Sequence, residues 1–341
     1  MRIIRMMSVF ILAATVSGVV FAEGSAGKWV FTIREPFPNE DGFRITTRTL
    51  ERGRDTKKWW DFYQYNICTM NPDGTDLRRL TDDAVSRNPR WSPDGKRIAY
   101  ISGLDNAKSL YVMWADGTEN KRLIKKQYAI HDFWWSPLSH ALLVVVEIDR
   151  PKDRLENWEV TVDGKIKRWR SQQWAKGWLY WDAKGEKVKE PKRRVLEVLP
   201  KGTNWPEWSP DGKWIAFNTD GHLALAEPEV VSMSRKWFLQ RDEPPCDRIE
   251  EWSPDGKQLL FYVSGDICIA TVEQGRFKKY QNLSLYSGRD ATWSPDGKQV
   301  AFIGANLEGR RTSEVFTLDV ETGKMQQITS TTYDYFDLHW R

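Results

Sequence analysis

Trp91-Ser-Pro-Asp-Gly-Lys96 returns as Trp208-Ser-Pro-Asp-Gly-Lys213, Trp252-Ser-Pro-Asp-Gly-Lys257 and Trp293-Ser-Pro-Asp-Gly-Lys298. A degenerate copy, Trp135-Ser-Pro-Leu-Ser-His140, lies after the first of these. A sixth tryptophan, Trp340, stands in the C-terminal Phe336-Asp-Leu-His-Trp-Arg341. Successive tryptophans are 44, 73, 44, 41 and 47 residues apart. A period of 40–50 residues with short strands is the signature of β-propeller blades. The 73-residue gap then holds one blade and an insertion of about 30 residues.

Each repeat has the same internal order. An apolar strand follows the Asp-Gly turn, as in Arg97-Ile-Ala-Tyr-Ile101 and Gln299-Val-Ala-Phe-Ile303. A second apolar strand comes next, as in Leu110-Tyr-Val-Met113 and Val315-Phe-Thr-Leu318, and a polar strand closes the unit. The strand before each tryptophan supplies the fourth, which predicts four-stranded antiparallel blades. In the turn, proline presets φ, aspartate bonds back to the backbone, and glycine tolerates positive φ. The tryptophan suits the space between adjacent blades. The motif therefore reads as architecture, and its aspartates are not catalytic candidates.

The termini predict how the ring closes. Gly27-Lys-Trp-Val-Phe-Thr-Ile33 aligns with Gly95-Lys-Arg-Ile-Ala-Tyr-Ile101, so the chain enters at the second strand of a blade. Asn66 to Met70 and Leu77 to Thr81 supply the third and fourth strands, and Phe336 to Arg341 the first. The fold predicted is all-β, a six-bladed propeller closed by a composite blade from both termini, which leaves no open sheet edge.

Repeated Trp-Ser-Pro-Asp-Gly-Lys followed by an apolar strand resembles the WD40-like propeller repeat of the TolB family, over residues 27–341. The resemblance is to the propeller part only. Trp29 lies seven residues after the expected leader cleavage site, so the N-terminal α/β domain of that family is expected to be absent. It implies binding of a peptidoglycan-associated lipoprotein. Related propellers cap some serine peptidases and form the scaffold of oligogalacturonate lyases.

Bulk properties agree with a globular, exported chain. Charged residues are 29% and hydrophobic residues 40% of the 341. Residues 1–22 read as a signal peptide, with Arg2 and Arg5 before an apolar run and Val20-Phe21-Ala22 before a cleavage point. An uncleaved anchor helix is the other reading of that run. A periplasmic or secreted location is expected, with no membrane span after cleavage. The three cysteines, Cys68, Cys246 and Cys268, allow at most one intramolecular bridge. Cys68 and Cys268 hold the same strand position in different blades, which favours small core residues over a bridge between them. The net charge is +4, and its positive excess lies in residues 151–201.

Functional residues are sought where the repeat is interrupted, because loops on rigid scaffolds carry function. One insertion spans residues 35–64. A second, near residues 170–200, carries Trp174, Trp178 and Trp181 and then Lys192-Arg193-Arg194. Such a surface suits an anionic glycan or an acidic partner, although a hairpin burying its own tryptophans is the plainer reading. The other candidate is the mouth of the central channel. Residues three and four before each motif tryptophan should ring one end: Arg87 and Asn88, His131 and Asp132, Arg248, Arg289 and Asp290, and Asp337. Such a set suits a polar ligand or a peptide terminus. The four histidines show no metal-ligand spacing on one element, and no Gly-x-Ser-x-Gly elbow is present. Neither cofactor nor metal is expected, and export argues against nucleic acid. The reading favoured is a non-catalytic envelope scaffold that binds a protein. Binding or lyase-type cleavage of an anionic polysaccharide is the alternative.

Overall fold

A computed structural model describes residues 27–36, 63–103, 108–136, 138–149, 154–169, 204–226, 244–283, 288–305, 313–331 and 333–341. The leader and both predicted insertions fall largely or wholly outside these residues. All the described elements are strands, and among the described residues no helix is long and apolar enough to cross a membrane.

The chain enters on β1 (Trp29–Pro36), β2 (Tyr63–Met70) and the short β3 (Arg78–Arg79). The second blade is β4 (Ser86–Trp91), β5 (Arg97–Ser102), β6 (Lys108–Trp114) and the first part of β7 (Lys121–Trp135). From Ala129 onward β7 pairs instead with β8 (Ala141–Asp149), which leads to β9 (Arg154–Thr161) and β10 (Ile166–Trp169). One strand thus runs from the outside of the second blade to the inside of the third, joining both in a seven-stranded sheet. The fourth blade shows β11 (Asn204–Trp208), β12 (Ile215–Thr219) and β13 (His222–Ala226) among the described residues. The fifth is β14 (Arg248–Trp252), β15 (Gln258–Val263), β16 (Asp266–Glu273) and β17 (Arg276–Asn282). The sixth is β18 (Gly288–Trp293), β19 (Gln299–Ala305), β20 (Ser313–Asp319) and β21 (Met325–Gln327).

The last strand, β22 (Asp334–Trp340), returns to the first blade and gives the sheet order β22-β1-β2-β3. Trp340 lies opposite Trp29, and Arg341 N–H donates to Lys28 O at 3.0 Å. The composite closure predicted from the aligned termini is therefore the one observed, in a six-bladed ring.

The repeated turn works as its residue types dictate. In the second blade, Ser92 Oγ donates to Asp94 Oδ1 (2.6 Å), which also accepts from Lys96 N–H (3.1 Å), while Ser92 Oγ accepts from Arg97 N–H (2.9 Å). Gly95 sits at φ 67°, where a Cβ would be strained. The same network recurs around Asp211, Asp255 and Asp296. The degenerate third turn keeps its hydroxyl cap, with Ala141 N–H donating to Ser136 Oγ at 3.1 Å, and puts Ser139 at φ 58° in place of glycine.

Motif tryptophans fill the seams between blades. Trp91 packs with Val30 and Ile67 of the first blade, and Trp252 with Ala216 and Leu225 of the fourth. Three indole N–H groups also reach back one blade, each to the carbonyl of the residue before the preceding tryptophan. They are Trp135 to Arg90 O (3.0 Å), Trp252 to Glu207 O (3.1 Å) and Trp293 to Glu251 O (3.3 Å). The cysteines are buried, free and spread over two hydrophobic clusters, Cys68 in one and Cys246 with Cys268 in another.

Candidate functional site

The first strand of each blade runs toward its tryptophan turn, so the residues three and four places earlier lie at the opposite end of the ring. There every first strand breaks its pairing register: between Arg87 and Arg90, Ile130 and Asp132, Asn204 and Glu207, Ile249 and Glu251, Arg289 and Thr292, and beside Phe336 on β22. A β-bulge re-aims the side chains around it, which is why bulges gather at the rims of barrels and beside sites. Asn88, Asp290 and Asp337 take positive φ values of 55°, 51° and 55° at these bulges. Asparagine and aspartate tolerate that region better than other non-glycine residues.

The bulge carboxylates tie one blade to the next. Asp290 Oδ2 accepts Asp337 N–H (3.0 Å), and Asp337 Oδ2 accepts Asn88 N–H (2.9 Å) and Thr32 Oγ1–H (2.8 Å). Thus the sixth, first and second blades are linked in series. One layer further in, Glu251 Oε2 accepts from Thr292 Oγ1 and from Trp293 N–H, both at 3.1 Å. Burial pushes the Asp290 carboxyl above its usual range, with Asp337 adding to the shift.

The guanidiniums are held differently, against aromatic rings. Arg248, Arg289 and Arg87 come from the fifth, sixth and second blades at the same repeat position, and Arg34 of β1 belongs to the blade between the last two. Each lies over an aromatic ring: Arg248 on Tyr262 (4.6 Å), Arg289 on Phe336 (4.3 Å), Arg34 on Phe336 (5.2 Å) and Tyr63 (4.9 Å), and Arg87 on Tyr65 (5.2 Å). Four guanidiniums therefore form an arc over four consecutive blades. Two are matched by carboxylates, Arg34 by Asp334 (2.5 Å) and Arg248 by Glu250 (2.8 Å). Arg289 donates to Ser313 Oγ (3.1 Å) and Tyr335 O (2.9 Å), both neutral. Arg87 has its Nε–H buried with no acceptor among the described residues.

The remaining predicted mouth residues lie on the third blade. His131 Nε2 is 3.0 Å from Glu147 Oε2, and Asp132 Oδ1 accepts from Arg90 Nη2 (2.9 Å) and Phe133 N–H (2.8 Å). Trp174, Trp178, Trp181, Lys192, Arg193 and Arg194, the predicted insertion surface, lie outside the described residues. Pro36 and Tyr63, paired with each other, bracket the first insertion at the end of the sheet that carries Arg34. Among the described residues, no three His, Cys, Asp or Glu side chains gather into a set that could hold a metal ion.

Two contributors escape a reading based on the six tryptophan offsets. Arg34 occupies the place where other blades carry Ser102, Thr219, Val263 and Gly304, so a charge there is out of pattern. Glu250 stands two before its tryptophan, where the other blades have Pro89, Phe133, Pro206, Ala291 and Leu338. Aligning the blades residue by residue finds both. Burial pushes Glu250 up to about 7, against the opposing pull of Arg248.

Comparison with known proteins places this geometry on a familiar scaffold. No family model matches the chain. Among curated proteins, the uncharacterized peptidase YuxL of Bacillus subtilis is 31% identical over 144 residues, which is 40% of this chain and 22% of that protein. Dipeptidyl-peptidase 5 of Porphyromonas endodontalis is 29% identical over 85 residues, 25% of this chain and 12% of that protein. The chain thus spans less than a quarter of the length of these relatives. Among solved structures, TolB from Acinetobacter baumannii superposes with a TM-score of 0.55 at 14% identity, covering 93% of this chain and 67% of that one. An oligogalacturonate lyase from Vibrio parahaemolyticus gives 0.56 at 13% identity, covering 77% of this chain and 87% of that one. At such identities the likeness is one of fold.

Proposed function

We propose that this TolB-like six-bladed propeller is a non-catalytic, exported scaffold that binds a protein of the cell envelope through the mouth bearing the arginine arc. The observation that carries this reading is a division of labour at the mouth. Asp290, Asp337 and Glu251 each accept hydrogen bonds from amides or hydroxyls of a neighbouring blade. Arg87 and Arg289 enter no carboxylate ion pair among the described residues, which leaves their charge for a partner. Guanidiniums on aromatic supports suit recognition of a charged partner. The resemblance to TolB makes a peptidoglycan-associated lipoprotein the first partner to try. The test is affinity capture with the full chain from an envelope extract. One protein should be recovered at near-equal stoichiometry and should bind again after purification. Recovery of no such protein overturns the reading.

A second reading is binding or lyase-type cleavage of an anionic polysaccharide. The fold likeness to an oligogalacturonate lyase and the basic, tryptophan-rich insertion support it. Binding on a glycan array should then drop when residues 174–192 are deleted. Unchanged binding removes this alternative.

A further inference from the structure

We infer that the arginine arc is a carboxylate-reading site for an acidic peptide segment, with Arg87 and Arg289 as its two members outside any carboxylate ion pair among the described residues. This rests on the protein-binding reading and names what the partner presents.

Four guanidiniums share one end of the ring on consecutive blades, with two partner carboxylates, Asp334 and Glu250, between them. Asp290 lies near Arg248 and Arg289 as well, but Arg87 and Arg289 enter no carboxylate ion pair among the described residues. The arc's cations are positioned in advance. Each lies against an aromatic face, and Arg289 is fixed further by two hydrogen bonds. Ordering a long side chain before binding lowers the entropy lost on binding. The buried Nε–H of Arg87 carries the argument furthest. An unpaired buried donor is costly, and an incoming carboxylate that engages the same guanidinium neutralises a charge that no ion pair among the described residues matches.

The same contacts decide between a peptide and a sugar. Carbohydrate sites commonly offer open aromatic faces for stacking. Here Phe336 is covered by Arg289 and Arg34, and Tyr65 by Arg87. The arc thus presents N–H donors where a sugar ring would need a bare π face. Glutamate and aspartate side chains, spaced along an extended peptide, meet such donors without stacking.

The test is fluorescence anisotropy with the full chain and three probes: a labelled hexaglutamate peptide, its hexaglutamine counterpart, and labelled trigalacturonate. Hexaglutamate should bind more tightly than the other two, and its affinity should weaken with added salt. Arg87→Gln and Arg289→Gln should each weaken hexaglutamate binding by about tenfold. Lys213→Gln with Lys257→Gln, on the opposite face, should leave it unchanged. Equal binding of the glutamate and glutamine peptides overturns the inference, as does tighter binding of trigalacturonate. So does an unweakened double arginine variant that keeps the wild-type melting temperature. If that variant melts lower, Arg87→Lys, which keeps the charge, should bind better than Arg87→Gln; equal affinities overturn the inference. If envelope capture recovers a partner that the arginine variants still bind, this inference fails while the scaffold reading stands. If hexaglutamate binds but no partner is captured, the scaffold reading fails alone.

Discussion

At the residue scale, the repeated turn gathers its hydrogen bonds on one aspartate in each of four blades. Partial burial pushes Asp94, Asp211 and Asp255 up, but hydrogen bonds from the turn serine and the following lysine N–H outweigh it and hold all three below the usual carboxylate value. A carboxyl with a depressed folded pKa stabilises above its unfolded pKa, and that stability is lost as the pH falls through the folded value. Glu250, Glu251 and Asp290 are raised instead, chiefly by burial, so their protonated forms favour the folded state. Their contribution is full below the unfolded pKa and is lost as the pH rises through the folded value. The denaturation midpoint should therefore rise as the pH drops from 8 toward 5, then fall below about 4. Asp255→Ala should cost about 1 kcal/mol at pH 7 and less at pH 3, read by urea titration at both. A loss independent of pH would assign the effect to packing. These turn roles were legible in the sequence, because proline, aspartate and glycine each have a local reason for their places. The roles of Asp290 and Asp337 were not, since the amides they accept belong to other blades.

At the scale of elements, seams between blades rest on tight shapes as well as hydrogen bonds. Gly275 closes the hairpin between β16 and β17 at φ 71°, and Trp214 of the fourth blade packs against it. A Cβ at this position would run into the Trp214 ring. Gly275→Ala should thus carry both a backbone strain and an overpacking cost, together about 2–3 kcal/mol. Pairing it with Trp214→Ala should relieve part of that, which a double-mutant cycle by thermal unfolding can read. Strand identity and order were legible from the apolar runs and their period. The single strand β7 shared by two blades was not, because only the pairing partners of its two halves reveal the change of sheet.

For the whole molecule, the composite blade is where ring closure is decided. β22 sits against β1 through Trp340, Leu338 and Tyr335, which share a cluster with Ala301 and Val315 of the sixth blade. Deleting residues 334–341 would strip the inner strand from the first blade and expose that cluster. The truncated chain should lose its cooperative melt and bind a hydrophobic dye. Trp340→Ala in the full chain should lower stability by about 3–5 kcal/mol. A truncated chain that melts with the same midpoint and sharpness would contradict closure through β22.

The sequence by itself determined the six blades, the turn chemistry and the composite closure. All follow from local preferences repeated at a fixed period, and a period is visible in one dimension. It also singled out the residues three and four places before each tryptophan. Which of those residues bond to a neighbouring blade was decided only by the tertiary structure. Asp290 and Asp337 are drawn into bonds with amides 47 and 249 residues away. Arg34, from a different strand, completes the arc with Arg87, Arg248 and Arg289. Hydrogen-bond partners and aromatic supports are chosen across blade seams, and neighbours across a seam carry no fixed spacing along the chain.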